Sequence, residues 1–295
     1  MGIMEKQNKQ LCFKGVTIDA YCECYDCKKK IKDKETVVCF SGGKDSTAML
    51  LHMIELGEKI DHIIFADTGF EYPELYDYIK RVEILIGRKI TIVKSKKPFE
   101  EWMFGKLTRG KNEGKTRGFP FVLGACYWMR EAKHYSIERF LKGKDYVRCI
   151  GIANDEKNRV QKGSDIRYPL IEWNWSEQDC VNYLNKKSLL NPLYMNFKRI
   201  GCYLCPKQNN YAKWLTWKFY PELWKKIEYY DKENIKICNR PIFITPLKEY
   251  TDAWEKGIVP KEPKKYECFE CKGLKMVAIG QTKLCNKWEE EDGSY

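Results

Sequence analysis

A glycine-rich segment at residues 40–47, FSGGKDST, places the strongest constraint on how this chain can fold. It follows the apolar run TVVC and precedes AMLLHMI, so it lies where a strand would turn into a helix. Glycines let backbone N–H groups approach an anion closely, and the following helix adds its unpaired N–H groups and the positive end of its dipole. The segment therefore predicts a phosphate-binding loop.

Short apolar runs alternate with amphipathic stretches from about residue 34 to residue 175. This alternation predicts an α/β fold with a Rossmann-like, mostly parallel sheet and flanking helices. Pro73 and Ser176 are favourable first residues for helices, and Gly57 and Gly87 are favourable last ones. Strands are expected at residues 36–40, 62–66, 90–93 and 146–150, and helices at residues 47–57, 73–87 and 176–185.

The chain divides into four predicted segments. A cysteine-bearing N-terminal knuckle covers residues 1–33, and an α/β nucleotide-binding domain covers residues 34–206. An aromatic and basic helical region follows at residues 207–260, and a second cysteine-bearing knuckle at residues 261–295. Within residues 207–230, aromatic residues alternate with lysines, which fits either stacking on nucleic-acid bases or a helix that buries one aromatic face.

Composition excludes several classes of protein. The chain has 295 residues, and 43% of them are hydrophobic, which is enough for a sizeable core. No apolar run reaches the roughly 18 residues that span a bilayer, and the N-terminus lacks the apolar stretch of a signal peptide, so we expect a cytoplasmic protein without membrane contact. Fourteen cysteines in that compartment predict metal ligation or thiol chemistry rather than a disulfide framework.

The charge of the chain points towards a polyanionic partner. The formal net charge is +12, and residues 88–118 alone carry ten basic and three acidic residues. The second half of that segment also contains several glycines, so it is either a mobile basic loop near the site or an ordinary solvated loop. A nucleic acid is the expected partner.

The glycine loop is not of the Walker type, because Gly42 and Gly43 directly precede Lys44 and no spaced glycine lies upstream. The order Ser-Gly-Gly-Lys-Asp-Ser resembles the PP-loop of the adenine nucleotide α-hydrolase-like superfamily. Members of that superfamily bind the β,γ-pyrophosphate of ATP and cleave at the α-phosphorus. The resemblance implies an ATP pyrophosphatase.

Further blocks, in the same order along residues 34–210, resemble the phosphoadenosine phosphosulfate (PAPS) reductase family. They are residues 65–74 (FADTGFEYPE), residues 118–120 with Cys126, Arg130 and Lys133, residues 151–159, residues 168–173, and residues 201–206 (GCYLCP).

This resemblance implies roles for individual residues. Asp67, Thr68 and Gly69 follow the second strand and would face the same crevice, although Asp67 could instead close its loop as an Asx turn. Arg159 would stabilise charge at the α-phosphate. In the loop, Lys44 would neutralise phosphate charge, Asp45 would hold Mg²⁺ or fix the loop, and the pyrophosphate would be cradled by Ser41, Gly42, Gly43 and Ser46.

Two features depart from the reductases of this family. Their phosphate loop is usually degraded, since a sulfonucleotide has no β,γ-pyrophosphate, whereas residues 41–46 are complete here and favour ATP. The reductases also carry a nucleophilic cysteine in a C-terminal Glu-Cys-Gly-Leu/Ile-His signature. This chain has only ECKGLK at residues 270–275, so Cys271 is either that nucleophile or a metal ligand.

Three cysteines match the positions that ligate a [4Fe–4S] cluster in adenylyl-sulfate reductases and in DNA phosphorothioation pyrophosphatases. They are Cys126, Cys202 and Cys205. Tyr127 replaces the fourth family cysteine, so either Cys180 or Cys238 completes the cluster or one iron stays open, as in tRNA-thiolating enzymes that use three cysteines. Zinc binding or simple packing is the alternative for Cys202 and Cys205.

Cysteines near both ends of the chain could form a separate site. Two CxxC pairs, Cys24 with Cys27 and Cys268 with Cys271, could close a tetrahedral zinc site. The alternative ligands are Cys12, Cys22 and Cys285. Cys39 and Cys149 fall inside predicted strands and are expected to be buried apolar residues.

Three hypotheses for the function follow. The first is an ATP pyrophosphatase that uses ATP with Mg²⁺ and an iron–sulfur cluster to adenylate an acceptor and pass sulfur to it. The acceptor would be a nucleic acid, either a DNA backbone or a tRNA base, and the sulfur donor a cysteine desulfurase or a thioredoxin-like protein. The second is a PAPS or adenylyl-sulfate reductase with Cys271 as nucleophile, and the third is a nucleotide- or nucleic-acid-binding module without turnover.

Overall fold

The computed structural model describes residues 34–263, apart from residues 123, 124, 162 and 164. Within this part of the chain, no helix is both long and apolar enough to cross a membrane. The strands are β1 (Glu35–Cys39), β2 (His62–Asp67), β3 (Thr91–Lys94), β4 (Phe121–Val122), β5 (Ala125–Cys126), β6 (Tyr146–Ile150) and β7 (Ile166–Arg167).

Helices connect and flank these strands. Short segments of other helix types lie at Arg130–His134 (π) and at Asn154–Arg159 and Pro192–Met195 (3₁₀). The α-helices are α1 (Lys44–Glu55), α2 (Pro73–Ile86), α3 (Phe99–Phe104), α4 (Tyr127–Met129), α5 (Tyr135–Leu141), α6 (Pro169–Glu172), α7 (Glu177–Lys186), α8 (Asn210–Phe219), α9 (Pro221–Cys238) and α10 (Leu247–Glu255).

Five strands form one parallel sheet in the order β3-β2-β1-β6-β7, while β4 and β5 form a separate antiparallel hairpin. The central strands β1 and β2 are almost continuously apolar and buried, as expected for parallel strands that helices cover on both faces. The predicted Rossmann-like α/β fold with a mostly parallel sheet is therefore confirmed. The four predicted strands lie within one residue of the observed ones at each end.

The helix after the glycine loop begins earlier than its sequence predicts. The prediction starts it at residue 47, whereas α1 begins at Lys44. Gly43 has an extended backbone, and its carbonyl accepts hydrogen bonds from the N–H and the hydroxyl of Thr47. The first turn of α1 therefore already contains Lys44, Asp45 and Ser46, which brings these residues to the edge of the sheet.

The aromatic segment after the sheet forms two helices, α8 and α9, which meet at Pro221. Trp214 and Trp224 are buried in the same hydrophobic core as Met49 of α1 and Leu75 of α2. This agrees with a helix pair that buries one aromatic face. The buried rings are not available for stacking on bases.

The two cysteines predicted inside strands lie there. Cys149 of β6 is fully buried, and burial raises the pKa of its thiol to about 12. Cys39 of β1 is half-buried, and burial of its thiol raises the pKa to about 11. Both thiols are therefore protonated near neutral pH, as expected for packing residues.

Candidate functional site

The glycine loop joins the carboxyl end of β1 to the amino end of α1. The hydroxyls of Ser41 and Ser46 lie 2.9 Å apart, and the Ser46 hydroxyl also accepts a hydrogen bond from the N–H of Ser41 at 3.1 Å. These bonds hold the loop in a closed turn. Gly43 gives α1 no side-chain cap, and the N–H of Lys44 donates to the hydroxyl of Tyr194 at 3.0 Å, so an anion at this end of the 12-residue helix would be received by the other N–H groups of its first turn.

Two glycines allow close packing around this loop, one inside the loop and one in the segment after β6. Gly42 has φ of +71°, and a Cβ there would lie 2.5 Å from Cδ1 of Leu75. Gly151 follows β6, and a Cβ on it would lie 2.8 Å from both N and Cα of Ser46. The backbone after β6 thus packs directly against the first turn of α1. Gly151 lies in the predicted block 151–159 but was not among the predicted site residues.

Lys44 is buried between two carboxylates. Its Nζ lies 2.9 Å from Oδ2 of Asp45 and 2.6 Å from Oε1 of Glu177, and its side chain is only 4% exposed. Burial alone lowers the pKa of Lys44, but the carboxylates outweigh burial and the pKa lies above its ordinary value. Lys44 is therefore a permanent cation beside the anion-binding end of α1.

Asp45 also belongs to a group of three carboxylates. The ligand oxygens of Asp45, Glu156 and Glu177 all lie within 4.8 Å of one another, and no other described Cys, His, Asp or Glu side chains form a group of three this close. Oδ1 of Asp45 is buried and accepts no hydrogen bond from the described residues, and burial raises the pKa of this carboxyl. Such oxygens fit a hard cation such as Mg²⁺.

Sequence reasoning missed two members of this group. Glu156 lies on the 3₁₀ segment after β6. Its position inside the predicted block 151–159 is the sequence feature that could have identified it as a site residue. Glu177 is the first residue of α7, whose Ser176–Asp179 capping box is recognisable from the sequence, but no local pattern connects it with Lys44. Arg159, a predicted catalytic residue, is half exposed and pairs with Glu156.

Asp67, at the end of β2, is engaged within the protein. Its Oδ1 accepts hydrogen bonds from the N–H of Gly69 and the hydroxyl of Tyr76, both at 2.8 Å, and its Oδ2 lies 3.0 Å from Nζ of Lys94. The Gly69 bond is the Asx turn that the sequence offered as an alternative. A direct contact of Asp67 with nucleotide stays a prediction.

Thr68 and Glu71 connect this edge of the sheet with Cys202. The Thr68 hydroxyl lies 3.2 Å from Sγ of Cys202 and donates a hydrogen bond to Oε1 of Glu71 at 2.9 Å. That same Glu71 oxygen lies 4.0 Å from Sγ of Cys202. Because Thr68 follows β2 and the glycine loop follows the neighbouring β1, the two groups lie at the same edge of the sheet.

The three predicted cluster cysteines share one electrostatic neighbourhood. Burial alone lowers the pKa of Lys133, but Glu71 and the three thiols, Cys202, Cys126 and Cys205, outweigh it and raise the pKa. Burial also raises the pKa of Cys205, and Cys126 raises it further. The fold therefore brings Cys126 into the neighbourhood of Cys202 and Cys205, although at least 76 residues of sequence separate it from them.

The spacing of these thiols bears on the metal they could hold. Cys126, Cys202 and Cys205 do not form a group whose sulfurs all lie within 4.8 Å of one another. A single zinc with Zn–S bonds of about 2.3 Å would draw its thiolates to within about 3.8 Å. In a cluster the thiolates bind different irons and lie further apart, so the lack of a close group does not exclude an iron–sulfur cluster, which stays a prediction.

The remaining predicted metal residues lie elsewhere. Cys180 is buried beside Asp45 and Lys44, and Cys238 at the end of α9 donates to the carbonyl of Asn234. The residues predicted for the terminal zinc site or for nucleophilic catalysis lie outside the described residues; they are Cys12, Cys22, Cys24, Cys27, Cys268, Cys271 and Cys285.

A basic surface surrounds the hairpin that ends in Cys126. The guanidinium of Arg130 lies over the exposed ring of Tyr127 at 5.5 Å, and the ammonium of Lys207 lies over the ring of Phe121 at 5.7 Å. Arg240 donates to the carbonyl of Phe121 at 3.5 Å. We call Phe121, Tyr127, Arg130, Lys207 and Arg240 the basic hairpin surface.

The basic loop predicted within residues 88–118 is an ordered turn for much of its length. The N–H of Leu107 donates to the carbonyl of Lys115, and the N–H of Arg117 donates to the carbonyl of Gly105. The lysines and Arg109 at its tip are exposed. The loop thus presents a positive surface on a closed backbone.

One family model matches more than half of this chain. A family model described as the phosphoadenosine phosphosulfate reductase domain matches residues 35–208. Two uncharacterized proteins of Methanocaldococcus jannaschii, MJ0066 and MJ0973, are 28% identical over 70% of this chain and 27% identical over 63% of it. The chain spans less than half of their lengths, 44% and 45%.

A solved structure is also similar. The crystal structure of a phosphoadenylyl-sulfate reductase from Candida auris, in complex with phosphate, matches with a TM-score of 0.43 and 18% sequence identity. The match covers 68% of this chain and 93% of the other.

Proposed function

Because the chain belongs to the phosphoadenosine phosphosulfate reductase domain family, we propose that it is an enzyme of that family that uses ATP to adenylate an acceptor for sulfur transfer. The observation that carries this proposal is the complete loop with Lys44 beside a three-carboxylate group. MgATP has a β,γ-pyrophosphate and the Mg²⁺ bound to it, and such a site could bind both. A sulfonucleotide has neither group.

The residues of this site would have different roles in the first step, which is adenylation of the acceptor. The amino end of α1 and Lys44 would bind the β,γ-pyrophosphate, and Asp45, Glu156 and Glu177 would hold Mg²⁺. An acceptor oxygen would attack the α-phosphorus, and the α–β bond would break with its electron pair leaving on pyrophosphate. Positive charge that is already in place stabilises the growing negative charge without reorganisation.

The second step requires a sulfur nucleophile that displaces AMP from the acceptor. Cys126, Cys202 and Cys205 would hold an iron–sulfur cluster at the edge of the sheet that also carries the glycine loop. When bound, the cluster would supply the sulfur-handling chemistry. A cysteine desulfurase or a thioredoxin-like protein would be the source of the sulfur.

The basic hairpin surface supports a nucleic acid as the acceptor. It offers exposed cationic side chains for phosphates next to aromatic rings on which a base can stack, and Tyr127 is 44% exposed. Phe121 of this surface pairs with Cys126 across the hairpin, and Tyr127 directly follows Cys126, so a bound nucleic acid would lie close to this cysteine. The acceptor would then reach the proposed sulfur source.

The test uses the full chain, purified without oxygen and incubated with α-labelled ATP and total tRNA or duplex DNA. Release of AMP and pyrophosphate, dependent on the nucleic acid, is the expected result. Lys44→Ala should lower the rate at least about a hundredfold, because phosphate-binding charges contribute roughly 3 kcal/mol or more to such steps. Lys80→Ala is the matched control, since Lys80 is 73% exposed on α2. A protein that binds no ATP contradicts the proposal.

The second candidate is a sulfonucleotide reductase, and the name of the matching family model favours it. Such an enzyme would transfer the sulfo group of PAPS or adenylyl sulfate to a cysteine and release sulfite with thioredoxin. Mass spectrometry would detect an S-sulfonate on Cys271, lost in Cys271→Ser. Turnover of PAPS with thioredoxin, without ATP binding, would favour this candidate over the first.

A further inference from the structure

Three cysteine ligands would leave one iron of a [4Fe–4S] cluster without a thiolate, and the described structure places a buried carboxylate beside Cys202. Glu71 lies between β2 and α2 and is only 6% exposed. Its Oε1 accepts a hydrogen bond from Thr68 and lies 4.0 Å from Sγ of Cys202. A buried carboxylate is costly unless it is paired or binds a metal.

We propose that Glu71 is the fourth protein ligand of the cluster held by Cys126, Cys202 and Cys205. This inference rests on the iron–sulfur part of the proposed function. Four thiolates are the usual complement of such a cluster, and a carboxylate oxygen is an accepted ligand of iron. Glu71 would therefore occupy the position for which the chain has no fourth cysteine.

The other candidates for this position have different surroundings. Cys180 lies beside Asp45 and Lys44 of the glycine loop, and Cys238 is exposed and hydrogen-bonds to Asn234. Tyr127, where the family carries a cysteine, directs an exposed ring towards the guanidinium of Arg130. None of these side chains has a contact with Cys202 like that of Glu71.

Two neighbours of Glu71 support a metal site at this position. The Thr68 hydroxyl lies within hydrogen-bonding distance of both Glu71 and Cys202, so it orients a carboxylate and a thiol towards the same space. Burial lowers the pKa of Lys133, and the negative charge of Glu71 and of the three cysteines outweighs this effect. Three thiolates and a carboxylate carry four negative charges, and Lys133 offsets part of them.

The experiment compares the wild type with Glu71→Gln, Glu71→Cys and the control Glu74→Gln. Glu74 lies three residues further along, and its contact is with the hydroxyl of Tyr220 rather than with a cysteine. Each protein is purified and reconstituted without oxygen, and iron, sulfide and electron paramagnetic resonance spectra are measured before and after mild oxidation. Circular dichroism confirms that each variant is folded.

In the wild type we expect about four iron and four sulfide per chain. Glu71→Gln should lose about one iron in four on mild oxidation and show a stronger three-iron signal, because one iron lacks an anionic ligand. Glu71→Cys should keep all its iron and show altered g-values, since a thiolate replaces an oxygen. Glu74→Gln should match the wild type.

Two outcomes would overturn the inference. One is a Glu71→Gln protein with the same iron content and spectra as Glu74→Gln, and the other is a wild type without iron and sulfide. ATP binding is measured on the same samples, which separates the two proposals. Retained ATP binding with no effect at Glu71 removes only the ligand assignment, whereas absent ATP binding with the expected spectra removes only the ATP-dependent function.

Discussion

At the scale of single residues, Gly151 shows how closely two segments of the site pack. A Cβ at this position would lie 2.8 Å from the backbone of Ser46, which has no room to move without shifting α1. We expect Gly151→Ala to lower the free energy of unfolding by about 1–3 kcal/mol, the usual cost of overpacking. It should also weaken ATP binding about tenfold, because displacing one N–H from a charged phosphate costs roughly 1.5 kcal/mol.

Denaturant unfolding and calorimetric ATP titration check this prediction. Gly201→Ala is the control, since a Cβ on Gly201 would meet nothing within 4 Å and its φ lies outside the left-handed region. If both alanine variants bind ATP like the wild type, the close packing of Gly151 against the loop has no functional consequence.

Cys202 allows a second prediction at this scale. Burial, with the nearby Glu71, raises the pKa of Cys202 to about 12. In the metal-free protein this thiol is therefore protonated at pH 8, and only the thiolate is an efficient nucleophile. We expect iodoacetamide to modify the exposed Cys238 at least about tenfold faster than Cys202.

Peptide mapping by mass spectrometry over time measures both rates in one sample. The rate at Cys202 should rise as the pH rises, because the thiolate fraction grows towards the raised pKa. Equal rates for Cys202 and Cys238 at pH 8 would show that Cys202 is neither buried nor influenced by Glu71.

At the scale of elements, the contact between α1 and α7 has a predictable pH dependence. The Lys187 ammonium, with the Tyr183 hydroxyl and the His52 ring, holds the pKa of Glu55 at about 2, below its ordinary value of 4.5. A lowered carboxyl pKa in the folded state stabilises the protein above about pH 4.5, and this stability is lost as the pH falls towards 2.

Glu55→Gln should therefore lower the free energy of unfolding at pH 7 by only about 0.5 kcal/mol, because the pair is partly exposed and screened. The difference between the variant and the wild type should shrink as the pH falls from 4.5 towards 2. Urea unfolding at a series of pH values measures it, and carboxylates common to both proteins cancel. A difference that stays constant down to pH 2 would contradict the assignment.

At the scale of the whole molecule, the C-terminal helices and the sheet share one core. The hydroxyls of Tyr72 and Thr216 form a buried hydrogen bond of 2.7 Å between the start of α2 and α8. Trp224 of α9 and Leu75 of α2 belong to the same hydrophobic cluster. We therefore expect the described sheet and the helices α8–α10 to unfold in one cooperative transition.

Hydrogen exchange over a denaturant series tests this expectation. The slowest amides of β1 and of α9 should lose protection together, and Trp224→Ala should lower the protection of both by about 3–5 kcal/mol. Tyr229 of α9 is 49% exposed, so Tyr229→Ala should have little effect on the protection of either element. Loss of protection in α8–α10 at lower denaturant than in β1 would show that the two parts unfold separately.

Several features of this protein follow from local sequence patterns alone. The periodicity of apolar residues specifies parallel strands and amphipathic helices, and FSGGKDST specifies an anion loop, because a glycine turn before a helix has the same chemistry wherever it lies. Four of the five strands of the parallel sheet, with α2 and α7, were therefore predicted to within about one residue, whereas β7 and the hairpin strands β4 and β5 were not predicted. The start of α1 was predicted three residues too late, since the sequence of Lys44, Asp45 and Ser46 is compatible with either a loop or a helix.

Contacts between side chains that are distant in sequence depend on the fold as a whole. Glu156 and Glu177 join Asp45 across more than 100 residues, and Glu71 meets Cys202 across 131. The same folding engages Asp67 with Gly69, Tyr76 and Lys94. Such contacts are set by the order of strands in the sheet and by the packing of helices against it, and no local sequence pattern encodes either.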